Sequence, residues 1–417
     1  MHSAALGWLA RLMFVVSSWK ATSTLTGDGS PRESCPVAKL CRDAIGIFSA
    51  TLAWGTSDSR VQTFHMTSLV CVGFYAFLLP WARPAWLENN ISAEAARVGN
   101  SLEKQRYIFQ VAVTVLSLLN FGCLAMLVLA SRAMRSFTIS RLTEQRVANE
   151  KFRGQFLRVL RTSYSVSVLL LLLVMLIYAV LSRLSRLPHP GAFVLGWSPA
   201  FFSAWALLQL VTCIRLLAAL AMNEVECYYQ ELESTGSGCI EAQDFVAQVQ
   251  PGHWLRLLRE HQDLLRDLKA VSSSISATVL VFQNVVAGSS LLLLWVARAY
   301  QKDPAPSTGY VVLAFTLICS GIFAMVPLAY ITDLCQSRRL GRRSLLTLAD
   351  KFSGWPMSME VHAEYMRFMQ HLNTAEAGIY LPNMGMVTRA SLTNQIMFYV
   401  KVLPLALAIT LGWWRRG

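Results

Sequence analysis

Charge is scarce in this chain. Asp, Glu, Lys and Arg make up 15% of its 417 residues, where an ordinary soluble domain carries roughly a quarter. Motifs that announce catalysis are missing too: there is no HExxH, no GxxxxGK[ST] and no GxSxG. Their absence removes the zinc peptidases, the P-loop nucleotide enzymes and the serine hydrolases from consideration. No pair of carboxylates falls inside an apolar run, which argues against a proton-coupled transporter. The chain is read as not an enzyme, with no cofactor and no metal implied.

Apolar sequence is abundant. Hydrophobic residues reach 54% and mean hydropathy is +0.43. They gather into blocks of about twenty, the length that crosses a bilayer core of roughly 30 Å. Seven segments qualify: 64–82, 107–130, 164–181, 192–221, 271–296, 309–332 and 392–413. Within lipid each backbone amide needs an internal partner, so these runs are expected to be helices. The fourth is about thirty residues long, a length that can tilt or project into the cytosol and that would place Arg215 at the membrane edge.

Lys and Arg set the orientation. With the N-terminus inside, 25 of the 37 basic residues fall on the cytosolic side and 10 on the outer side. The predicted fold class is therefore an all-α membrane protein of seven helices, N-terminus cytosolic and C-terminus extracellular, with long cytosolic helical extensions. Its parts are a cytosolic segment 1–63, a six-helix bundle 64–332, a cytosolic assembly segment 333–391 and a last helix with a short tail, 392–417. The net charge of +13 lies in loops against anionic lipid and does not imply nucleic acid. This orientation is opposite to that of a G-protein-coupled receptor. None of the nine cysteines falls in an outer loop, which leaves no extracellular disulfide to form. Asn90, in the sequon Asn90-Ile91-Ser92, is a glycosylation candidate on the outer side. The apolar N-terminus is weighed as a signal peptide and set aside, because Arg11 splits its core.

Two cytosolic stretches have helical periodicity. Residues 253–271 are expected to run as helix straight into the fifth span, with His253 and His261 read as surface histidines. Residues 357–380 place Met359, His362, Met366, Met369 and Leu372 near one face, a stripe suited to partner helices.

The seventh span is unusual. Its entry is polar, and Lys401 sits in its middle. A buried ammonium costs several kcal/mol unless it is paired or wetted. Two readings stay open: a pore lining, or a bundle helix whose lysine finds an acceptor.

The stretch LNTAEAGIYLPNMGMVTRASLTNQIMFYVKVL, residues 372–403, carries Asn373, Gly378, Ile379, Tyr380 and Asn383 in an N-x-x-x-x-x-G-hydrophobic-aromatic-x-x-N arrangement, followed by Thr393. In this, and in its seven spans with the N-terminus inside, the chain resembles the arthropod gustatory and odorant receptor superfamily. It departs from the closing Thr-Tyr-(hydrophobic)-Gln-Phe signature: Asn394 stands for the tyrosine, and Val400, Lys401 and Val402 stand where glutamine and phenylalanine are expected. The resemblance implies a plasma-membrane, multi-pass, ligand-gated cation channel, a homo- or hetero-tetramer whose last helices line the pore. Partners implied are a small-molecule tastant or odorant, permeant ions and the lipid bilayer. Mapped onto this chain, the pore candidates are Gln395, Met397, Val400 and Lys401. Four Lys401 ammonium groups around an axis would repel cations. Ligand-pocket candidates in the outer half are Tyr107, Gln110, Tyr178, Trp197, Phe201, Phe202, Trp205, Tyr310 and Phe315; the alternative for each is an interfacial belt or packing role. The competing functions are a non-channel receptor or scaffold of the same fold, and a secondary transporter.

Overall fold

The computed structural model describes residues 85–115, 119–122, scattered positions between 154 and 176, and then 190–235, 249–300, 304–337, 343–381, 385–397 and 401. The expected spans at 64–82 and most of 392–413 lie outside these residues, as do Tyr178, Asn383 and Val400.

The described residues are overwhelmingly helical. Helix α1 (Ala85–Val98) leads into α2 (102–115), and helix resumes at 119–122. Three long helices follow: α3 (Pro190–Ser234), α4 (His253–Ala299) and α5 (Pro304–Gln336). A short α6 (Leu345–Asp350), a 3₁₀ turn (Lys351–Gly354) and α7 (Met359–Thr374) precede a two-stranded hairpin, β1 (Tyr380–Leu381) with β2 (Gly385–Met386). The last helix, α8, covers 389–397, with Lys401 again helical.

Two segments, Thr278–Ala299 of α4 and Ser307–Gln336 of α5, are long and apolar enough to cross a membrane. Large apolar side chains also face outward, among them Leu169 at 67%, Leu172 and Leu176 at 61% and Phe315 at 63% exposure. A protein in water rarely leaves such side chains this bare in series, whereas lipid accepts them without cost. Polar side chains in these helices turn back on their own backbone: Thr212 donates to the Leu208 carbonyl, Thr316 to Val312 and Ser320 to Thr316, each at 2.8 Å. That habit suits helices in an apolar medium.

As its periodicity predicts, α4 continues unbroken from the polar 253–271 stretch into the apolar run. Its buried residues Trp254, Leu257, His261, Leu264, Leu268, Val271 and Ile275 recur every three or four positions, one face from end to end. At the polar end Trp254 is fully enclosed, with ring centroids 5.0 Å from Tyr365, 5.3 Å from Phe368 and 5.6 Å from Phe352. Gly252 caps this end at φ 88°, and its amide donates to both carboxylate oxygens of Glu364 at 2.9 Å. Tyr228 of α3 donates to the Leu257 carbonyl at 2.9 Å, and Tyr365 to the Ala349 carbonyl at 3.1 Å. Here α3, α4, α6 and α7 share one core.

At the other end α1 lays Leu87, Ile91, Ala95 and Val98 inward, and Glu88 accepts from Arg106 of α2 at 2.6 Å. Gln105 donates to the Tyr300 hydroxyl at 2.7 Å, tying α2 to the end of α4.

Two expectations are corrected. His261 is not a surface histidine: it is 1% exposed, because it occupies the buried stripe of α4. Arg215 is turned inward onto α5 rather than outward to a membrane edge, its guanidinium donating to the Phe323 carbonyl at 2.8 Å. The α7 stripe also divides. Met369 and Leu372 join the core, Met359 and Met366 stand at 92% and 54% exposure, and the helix stops at Thr374 where Ala375 turns extended.

Candidate functional site: the junction below the last helix

Between α7 and α8 the chain crosses the middle of α4 and the end of α5, and polar groups along it are committed one after another. Gln336 of α5 donates to the Ala375 carbonyl at 3.3 Å. The Ile379 amide donates to Thr332 Oγ1 at 3.1 Å, and the Tyr380 amide to Ser272 Oγ of α4 at 3.2 Å. The Val387 amide returns to the Ile379 carbonyl at 2.9 Å, closing the hairpin. Gly385, at φ 67°, supplies the left-handed backbone the turn needs. Ala377, Ile379, Leu381 and Val387 fill the apolar side of the seam.

Gly378 explains itself by distance. A Cβ placed there would lie 2.8 Å from both Cγ2 and Oγ1 of Thr332. Only a residue without a side chain lets the strand approach closely enough for the Thr332 hydroxyl to reach the next amide. Tyr380 is exposed at its ring, and its hydroxyl donates to the Glu376 carboxylate four residues earlier; burial, with that acceptor, pushes the phenol up to about 12.

The junction ends in a charged clasp. Arg389, the first residue of α8, meets Asp333 of α5 at 2.7 Å and lies over the Tyr330 ring at 5.7 Å. Thr388 and Ser391 cap the helix reciprocally, the Ser391 amide donating to Thr388 Oγ1 at 3.1 Å and the Thr388 amide to Ser391 Oγ at 2.7 Å. Two turns on, the Gln395 amide donates to Oε1 of Gln283 on α4. The root of the last helix is thus fixed to α5 at Thr332, Asp333 and Gln336, and to α4 at Ser272 and Gln283.

The predicted site residues fall into groups. Gly378 and Tyr380 sit in the junction, and Asn373 lies exposed in the last turn of α7. Thr393 is exposed on α8, its hydroxyl donating to the Arg389 carbonyl at 2.8 Å. Gln395 points sideways at α4, while Met397 at 43% exposure and Lys401 face away from the bundle. Among pocket candidates, Trp205 is 8% exposed, and Tyr310 packs beside Tyr300 at 5.7 Å between centroids. Tyr107, 56% exposed and edge-on to Trp295 at 5.6 Å, is on the outer surface, with Gln110 and Phe315 also exposed. Trp197, Phe201 and Phe202 lie on the first half of α3. Asn90 is half-buried on α1, with its side-chain carbonyl oxygen enclosed.

Sequence reasoning missed Thr332, Ser272, Asp333 and Gln283, the receiving half of the junction. Each reads in isolation as a routine polar residue near a helix end or on a helix face. No metal-binding group of three or more His, Cys, Asp or Glu occurs among the described residues. A scan against protein-family models and a search of curated proteins find no match for this chain.

Proposed function

We propose that this protein is a chemosensory receptor of the gustatory type that acts as a ligand-gated ion channel. It forms a tetramer in the plasma membrane, each subunit crossing seven times with its N-terminus inside, and the last helix lines the pore. The observation that carries this reading is the junction at 375–389. A helix that only filled a bundle would need no such mooring; here two long helices hold its root through backbone amides, an ion pair and a side-chain amide. Any tilt of α4 or α5 is passed to the last helix at its base. Three of the residues by which the chain resembles gustatory receptors, Gly378, Ile379 and Tyr380, take part in the mooring.

The outward side chains of the last helix support the same reading. Met397 and Lys401 stand exposed among the described residues of one subunit, as residues facing a shared axis must. A tastant or odorant entering among the outer aromatics would spread α3 and α5, and the junction would turn that movement into rotation of the last helix. Lys401 at the axis favours anions over cations.

The test is current through cells expressing the full chain, alone and as Lys401→Gln, challenged with sugars, bitter compounds, amino acids and acids. A ligand-evoked current whose reversal potential moves toward that of cations in Lys401→Gln is the expected result. Surface-expressed protein that is silent under every challenge, alone and with candidate partner subunits, would overturn the channel reading in favour of a receptor or scaffold.

A further inference from the structure

Helix α5 carries Pro327 in its interior. A proline has no amide hydrogen, so the carbonyl four residues earlier loses its normal donor. That carbonyl belongs to Phe323, and it is the one that receives Arg215 of α3 at 2.8 Å. The guanidinium also lies against the ring of the same residue, 3.7 Å from its centroid. Phe323 is thirteen positions before the end of α5 at Gln336, about 20 Å along a helix. A carbonyl that deep in an apolar segment cannot turn to water, and leaving it unbonded is costly.

We propose that Arg215 is a positioning residue: it supplies the hydrogen bond that Pro327 deletes, and so fixes α5 against α3 at this point. The two residues form a complementary pair, one breaking the helix ladder and the other mending it from outside. Because the donor belongs to another helix, α5 cannot flex at this point without moving relative to α3. The aromatic residues Trp197, Phe201, Phe202 and Trp205 lie on the half of α3 before Arg215, and Thr332 and Asp333 lie on the half of α5 after Pro327. Resting on the channel reading, Arg215 is then the joint between the ligand-binding half and the junction that moors the last helix. The joint itself does not depend on that reading.

Thermal melting of the purified full chain in detergent tests the joint by a double-mutant cycle. Arg215→Met keeps the apolar stem and removes the donors, while Pro327→Ala returns the missing amide. Arg215→Met is expected to lower the melting temperature by about 3 °C or more in the wild type, and by under about 1 °C in the Pro327→Ala background. Arg215→Lys, which keeps one donor, should recover part of the loss. Hydrogen exchange should quicken in Arg215→Met over residues 323–331 alone, and return to normal in the double variant. Equal losses in both backgrounds, or quickened exchange along the whole of α5, would overturn the proposal and leave Arg215 as a packing residue. Should Arg215→Met fail to accumulate, the same cycle is run with Arg215→Lys: a loss confined to the proline background supports the joint, and equal losses overturn it.

Discussion

A neutral imidazole held out of water resists taking a proton, and His261 is the most deeply buried histidine of the polar half of α4. Its ring is 5.5 Å from Tyr228 and 5.2 Å from His371, and neither of its ring nitrogens has a hydrogen-bond partner among the described residues. Burial first, and the neighbouring His371 second, push it down to about 3; burial lowers His371 as well. An unfolded chain would protonate the same histidine near 6.5. The unfolded state therefore binds more protons, and stability fully present above about pH 6.5 is lost as pH falls toward 3. At about pH 5 the His261 contribution to that loss is about 2 kcal/mol. Melting the solubilised protein between about pH 7.5 and 5 should show this slope, and His261→Leu should flatten it.

At the scale of elements, the junction is governed by one close approach. Gly378→Ala drives a methyl group into Thr332 at 2.8 Å, so the strand must withdraw and the Ile379 amide loses its acceptor. A destabilisation of about 1–3 kcal/mol is expected. Thr332→Ser, which keeps the hydroxyl and removes the crowding methyl, should recover part of it; absence of any recovery would place the strain elsewhere. Asp333→Asn weakens a part-exposed ion pair, worth roughly 0–1 kcal/mol, and should scarcely change melting; under the proposed channel function it should alter the response to ligand in current recordings. The long helices were legible because apolar length and period are local properties. His261 was legible in principle: it falls at the three-and-four spacing set by Trp254, Leu257, Leu264 and Leu268, though its polarity alone suggests the opposite face. The partners of Gly378 and Tyr380 were not legible, since Thr332 and Ser272 stand 46 and 108 positions away and no periodicity links them.

For the molecule as a whole, the polar half is an assembly around one tryptophan. Trp254 touches residues from the 3₁₀ turn and α7 while sitting at the start of α4. Trp254→Ala should cost about 3–5 kcal/mol, and Trp254→Phe much less. Size-exclusion profiles of the two variants measure the difference, the first giving aggregated protein and the second a single peak. α4 also ties the two ends together, since 47 residues of unbroken helix make a rod of about 70 Å.

The distance along the chain between Gly252 and Glu364, 112 positions, also sets a schedule for biosynthesis. When the start of α4 leaves the ribosome, its cap and the aromatic lid over Trp254 do not yet exist. At roughly 5–20 residues per second, the tryptophan waits on the order of ten seconds for Tyr365 and Phe368 to be made. Throughout that interval an apolar ring and an uncapped helix end stand open to solvent while the intervening helix is being inserted. A chaperone must cover them or the nascent chain will be captured by neighbours. A nonsense codon anywhere between 300 and 364 leaves that state permanent, so such truncated products are expected to be cleared rather than to accumulate as shorter proteins.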